Sequence, residues 1–174
     1  MDERPTESLR DEHEVLKQRL TRLRAMADGL VGAVDRTEMQ DMFDWLVSEL
    51  LPHSSDEEAR LYPLVDELLA EHGGASSTMV LDHVALRSKV RDFGDAIAPL
   101  VSGAKGQKAR ELRDRARIIT FQLEAILQLH MHKEEEVYFA AVDQHATPEQ
   151  LAKLRRGGEE GPEGPAATVG REWD

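Results

Sequence analysis

The sequence predicts an all-α fold, an up-and-down antiparallel four-helix bundle with a short C-terminal helix and a flexible tail. Three observations predict it. Apolar residues recur three and four positions apart, so each long segment presents one apolar face. Leu, Ala, Glu and Arg are abundant while Gly, Pro and aromatic residues are sparse, a composition that favours helix. The periodic segments are long and the turn signals between them short, which makes antiparallel neighbours the simplest packing. The chain's 174 residues suffice for one domain with a real core. We take residues 1–157 as that domain and the Gly/Pro/Glu-rich residues 158–174 as a disordered tail.

The first helix is expected from Thr6 or Ser8 to near Val34, with Leu9, Leu16, Leu20, Leu23 and Met26 on its stripe. The second runs from about Thr37 to Ala70 and contains Pro52 and Pro63, each of which removes a helical hydrogen bond. Its apolar period continues across both prolines, which predicts one bent helix. "EHGGASS" is a turn with a cap at Ser76 or Ser77. The third helix follows to about Val101, carrying Met79, His83, Leu86, Val90, Phe93 and Ile97. After "SGAKGQ", the fourth runs from about Lys108 to Gln144, with Leu112, Ile119, Leu123, Ile126, Leu127 and Leu129. "TPEQLAKLRR" reads as a short helix with Pro148 at its first position.

Composition narrows the function classes. A net charge of -12 argues against nucleic acid or an anionic membrane as the main partner. Without cysteine there are no disulfides, thiolate ligands or cysteine nucleophiles. The charged start lacks an apolar signal core and no run approaches a membrane span, so a cytoplasmic location is expected.

The chemistry concentrates in two stretches that align without gaps, "HSSDEEARLYPLVD" from His53 and "HMHKEEEVYFAAVD" from His130. His53 matches His130, Glu57 matches Glu134, and Glu58 matches Glu135. The other two helices echo each other as "EHEVL" around His13 and "DHVAL" around His83. The chain thus reads as two helix pairs, each with a lone His and a His-x-x-x-Glu. Four residues advance about 400° and rise about 6 Å, so His and Glu stack on one face and reach the same centre. All four histidines fall on apolar stripes. Buried carboxylates without a partner are very costly, and divalent cations would neutralise Glu57 and Glu134. A nitrogen and oxygen donor set suits iron, manganese or zinc, and can serve two ions bridged by carboxylates.

These residues, His13, "HSSDEEARLYP", His83 and "HMHKEEEVYF", resemble the hemerythrin-like family, the HHE cation-binding domain, over about residues 8–145. The resemblance implies a four-helix bundle around a non-haem di-iron centre that meets O2 or hydrogen peroxide. By position, His13 and His53 would hold one iron, His83 and His130 the other, with Glu57 and Glu134 bridging. Oxygen-carrying relatives have a further histidine where Arg87 stands, and a bridging aspartate where Glu135 stands. With two histidines per iron both ions keep open positions, which favours reaction with oxygen or peroxide over reversible carriage.

Further candidates surround this set. Tyr138 follows Glu134 by one helical turn, where core packing and a place beside the metal are the alternatives. Glu58 and Glu135 are expected to face solvent or hydrogen-bond a ligand histidine. Lys17 and Arg87, four residues after the lone histidines, are expected to flank the entrance or pair with those glutamates. His132 points about 200° away from His130, where surface and, after a local distortion, a fifth ligand are the alternatives. His72 sits at a helix end and His145 has no evident role. Three functions are consistent with this reading. One is a di-iron protein binding or disproportionating oxygen species in a stress or iron/oxygen response. The second is a metal-dependent sensor, with the tail around Trp173 as a docking segment. The third is an oxygenase or oxidase of an organic substrate. Ferritin-type storage is disfavoured because the chain has no Glu-x-x-His pair.

Overall fold

The computed structural model describes residues 4–30, 35–70 and 75–155. Among these every regular element is helical. Helix α1 is Glu7–Gly29. Helix α2 is a continuous right-handed run over 36–68, α3 is Ser77–Val101, α4 runs over 106–145, and α5 is Pro148–Arg155. No helix among the described residues is long and apolar enough to cross a membrane. His72 and the expected tail lie outside the described residues.

The two prolines do not break α2. Each is preceded by a π-turn, Leu46–Leu50 before Pro52 and Glu57–Leu61 before Pro63. Proline has no N–H and its ring collides with the carbonyl four residues back. The wider turns meet this strain: Leu51 N–H bonds Leu46 O and Tyr62 N–H bonds Glu57 O. A third π-turn, Glu134–Tyr138 in α4, closes through Phe139 N–H to Glu134 O without any proline. The two turns that begin at Glu57 and Glu134 therefore continue the internal repeat into the backbone.

The helix starts follow the same repeat. Asp35 caps α2 through Glu38 N–H. The expected Ser76 cap is replaced by a longer reach: Ser76 N–H and Oγ–H donate to Asp66 at 3.0 and 2.7 Å. Thr6 N–H and Oγ1–H donate to Asp143 in the same way, at 3.0 and 2.9 Å. The acid at the end of one helix thus fixes the start of another.

Helices α1 and α4 run antiparallel, tied by Thr6–Asp143, His13–Glu135 and Arg24–Glu124. Helix α3 packs along α4 and against the first part of α2. Two apolar clusters result. The larger contains Leu16, Leu23, Leu50, Leu86, Phe93, Leu123 and Leu127. The smaller contains Leu61, Tyr62, Val65, Met79, Tyr138 and Phe139. On every long helix the candidate histidine falls where one cluster gives way to the other, so the polar layer is sealed above and below. Leu129, expected on the α4 stripe, is instead 59% exposed. It follows Leu127 by two residues and so points about 200° around the helix from it.

Candidate metal centre

The structure brings His13, His53, Glu57, His83, His130 and Glu134 together in one buried cluster. His13, His83 and Glu134 are fully buried, and His53 is the most open at 13%. Glu57 divides its two oxygens between the histidine pairs. Its Oε1 lies 3.6 Å from His13 Nε2 and 3.0 Å from His53 Nε2. Its Oε2 lies 3.4 Å from His83 Nε2 and 4.0 Å from His130 Nε2. Two sets of donor atoms close enough to share an ion follow, His13–His53–Glu57 and Glu57–His83–His130. Glu134 Oε2 lies 3.4 Å from both His13 Nε2 and His130 Nε2.

Each imidazole is aimed by its other nitrogen. His13 Nδ1 donates to Glu135 at 2.9 Å, His83 Nδ1 to Glu58 at 2.8 Å, and His53 Nδ1 to Glu12 at 3.0 Å. His130 Nδ1 approaches Asp82 at 3.3 Å. An ionised carboxylate only accepts, so these contacts place a ring proton on Nδ1 and turn each Nε2 toward the centre. Lys17 bonds Glu135 and Arg87 bonds Glu58 at 2.9 Å, while Lys133 pairs with Asp82. Burial raises the carboxyls of Glu58, Glu135 and Asp82, but the hydrogen bonds from these cations and histidines outweigh it and hold all three below their ordinary range. Arg87 and Lys17 therefore act on the cluster through the outer carboxylates.

Tyr62, which the sequence reading passed over, enters the cluster itself. Its hydroxyl donates to Glu134 Oε1 at 2.9 Å and lies 3.2 Å from His83 Nε2. Burial and the charges of Glu134 and Glu57 push its ionisation far above the ordinary phenol value. Tyr138, the tyrosine singled out from sequence, turns away and donates to the carbonyl of Ala75. Its burial and nearby acids raise it to about 12. The π-turn explains the exchange. Between Glu134 and Phe139 the backbone closes through five residues instead of four, so position five, not four, returns to the glutamate's face. That position is Tyr62 in α2 and Phe139 in α4. Phe139 packs on His13 with ring centres 5.0 Å apart. His132 and His145 are exposed and take no part.

The donor set fits a cation. His13 Nε2, both oxygens of Glu57 and Glu134 Oε2 are buried without a hydrogen-bond partner. His83 Nε2 and His130 Nε2 face each other at 2.9 Å, a repulsive contact when both carry lone pairs. Leaving a polar atom buried and unsatisfied costs about 1–3 kcal/mol, more if charged. Metal ligation removes all of these at once. Burial pushes Glu134 up to about 9, with the charge of Glu57 adding to it. Glu57 is held well below the carboxylate range: the four histidines around it outweigh its burial. His53 is raised to about 10, the neighbouring carboxylates of Glu12 and Glu57 overcoming the opposing effect of burial.

The outer carboxylates lend themselves to test. Glu58→Ala is expected to weaken metal binding about 10–100-fold, the usual effect of losing an acceptor behind a ligand histidine. Competition against a chelator of known affinity measures it. An unchanged affinity would mean that the His83 ring is oriented by packing alone.

The chain matches a protein-family model described as the hemerythrin HHE cation binding domain over residues 4–142. No curated protein and no solved structure matches it.

Proposed function

Because the chain belongs to the hemerythrin HHE cation-binding domain family, we propose that it holds two iron ions in an up-and-down four-helix bundle and uses them to bind or react with O2 or hydrogen peroxide. His13 and His53 would hold one ion and His83 and His130 the other, with Glu57 and Glu134 as the carboxylates that would serve both. Residues 1–157 form this single domain. Manganese or zinc can substitute at the same donors. The observation that carries this reading is the set of four Nδ1–carboxylate contacts directing four Nε2 atoms onto two buried carboxylates.

Iron bound here would supply redox chemistry toward a small oxygen ligand. The chain's own groups do the rest. The outer carboxylates fix the imidazole tautomer, Tyr62 holds a proton at its hydroxyl directed at Glu134, and Phe139 excludes water on the His13 side. No histidine stands where oxygen carriers have a fifth, since Arg87 there reaches Glu58. That difference favours turnover of peroxide, two H2O2 giving O2 and two H2O, over reversible oxygen carriage. The reading extends to a role in oxidative stress or iron and oxygen response.

Iron analysis and absorption spectroscopy test it together. The expected result is about two irons per chain, an oxo-bridged ferric absorption, and gas evolution from peroxide. Iron-loaded protein that is colourless and inert to peroxide would overturn the oxygen chemistry. Strong stabilisation by iron without turnover would favour the sensor function instead.

A further inference from the structure

Far from the histidines, where α2 begins, α3 ends and α4 begins, the chain encloses a second cavity of about 420 Å3. Arg36, Lys105, Arg110 and Arg113 line it beside the apolar Leu100 and Ala109, and its lining includes no carboxylate and no aromatic ring. Four cations gathered in one cavity stand out in a chain with 34 acidic residues against 22 basic ones. Around the metal centre each cation reaches an acid, as Lys17, Arg87 and Lys133 do. The side chains of Arg36, Lys105 and Arg110 form no ion pair or hydrogen bond among the described residues. Nearby acids are engaged elsewhere: Asp35 caps α2, Glu38 pairs with Arg22, and Glu111 accepts from Gln107. Two glycines keep the backbone accessible here. Gly103, at φ +97, lets the Arg36 guanidinium lie across the turn, with Nη2 3.6 Å from where a Cβ would stand. Gly106, at φ +67, has nothing within 4 Å of that position, so a ligand can come close to its backbone. The first turn of α4 has neither a side-chain cap nor an acid, and its positive end adds to the four side chains.

We propose that this cavity is a second ligand site, for a compact and multiply charged phosphate anion of diphosphate size, free or carried on a small ester. Like charges held together repel one another, and a cavity lined by one sign of charge concentrates the opposite ion. Guanidinium groups match phosphate oxygens two at a time, and three of the four cations are arginines. Four cations suit a multiply charged anion better than a single carboxylate. The volume of about 420 Å3 falls within the roughly 300–1,000 Å3 of small-molecule sites. With no aromatic ring in the lining, a base attached to the diphosphate finds nothing to stack on. The cavity lies roughly 30 Å along α4 from His130, at about 1.5 Å per residue, so the site does not depend on the di-iron reading.

Amide NMR spectra of the full metal-free chain, titrated with inorganic diphosphate, test the site without interference from metal chelation. The amides of Lys105, Gly106 and Gln107 are expected to shift together and saturate as one site, while those around His13 and His53 stay in place. Arg110→Gln should weaken the affinity roughly tenfold through loss of one charge-assisted hydrogen bond. Added salt should weaken it further. Arg115→Gln removes the same charge from the same helix outside the lining, and should leave the affinity nearly unchanged. Both arginines are exposed, so neither variant disturbs the core. Inorganic diphosphate binding more tightly than a nucleoside diphosphate would mark the free anion as the ligand, and the reverse would mark an ester. The absence of saturable shifts, equal losses in the two variants, or shifts centred on the metal-site histidines would overturn the proposal. So would an oligonucleotide that binds this face more tightly than diphosphate, since the cavity would then be part of a nucleic-acid surface.

Discussion

Exchanging Glu57 for glutamine is expected to reduce bound iron from about two ions per chain to well under one. Glu57 belongs to both groups of donors close enough to share an ion, and each of its oxygens faces one histidine pair. Among the described residues no other carboxylate belongs to both groups with one oxygen toward each pair. Glutamine keeps the size of the side chain, so the change isolates charge and ligation from packing. It leaves four imidazole nitrogens with one carboxylate between two divalent ions, in a pocket where uncompensated charge is costly. Loss of an outer hydrogen-bond partner costs about 10–100-fold in affinity, and loss of a shared direct ligand should exceed that at both positions. Glu134→Gln is expected to lose less metal. Glu134 lies outside both three-residue groups, and one of its oxygens is engaged by Tyr62. Metal analysis of the two variants, with helix content checked by circular dichroism, gives the comparison. Equal metal content in the wild type and the Glu57 variant would move the ions away from this cluster.

Much of this centre is legible in the sequence, for a physical reason. A helix repeats every 3.6 residues, so His53 with Glu57 and His130 with Glu134 share a face whatever surrounds them. Histidine and glutamate on an otherwise apolar stripe then demand a partner. Glu58 and Glu135, one residue further, could be read as histidine acceptors on the same grounds, and their contacts with His83 and His13 follow that pattern. What escaped depended on information that no single helix contains. Glu12 and Asp82 precede the lone histidines, and an acid there usually lies in water. Only the register of α1 against α2, and of α3 against α4, turns them onto His53 and His130. Tyr62 escaped because a π-turn shifts the facing position by one residue, and this turn has a proline cue in α2 but none in α4. The same limit applies to Ser76, read as a cap from its neighbours but bound to Asp66, ten residues away in sequence.

Metal loading is expected to raise the melting temperature by roughly 10 °C or more at neutral pH, and by a larger margin as pH rises. Ions that bind only the folded chain stabilise it by mass action, about 4 kcal/mol when free metal is a thousandfold above Kd. For a domain of this size each kcal/mol moves the midpoint about 2–4 °C. The pH dependence comes from the protons that the metal-free pocket retains. His53 is raised to about 10 and Glu134 to about 9, both above their unfolded values. The folded chain therefore binds more protons than the unfolded one between about pH 5 and 10. A group raised in this way contributes stability fully below its unfolded pKa and loses it as pH climbs through the folded one. Each extra proton makes metal-free stability fall by about 1.4 kcal/mol per pH unit in that window. Glu57 has the opposite shift, so its contribution is present above its unfolded pKa and fails only in acid. It does not offset the alkaline decline. A metal ion at the cluster displaces these protons, so its affinity grows with pH just as the metal-free protein weakens. Thermal melts with and without zinc, a redox-inert stand-in, should separate progressively from pH 6.5 to 8.5. A constant gap would mean that zinc binds where no proton is displaced, and hence away from His53 and Glu134.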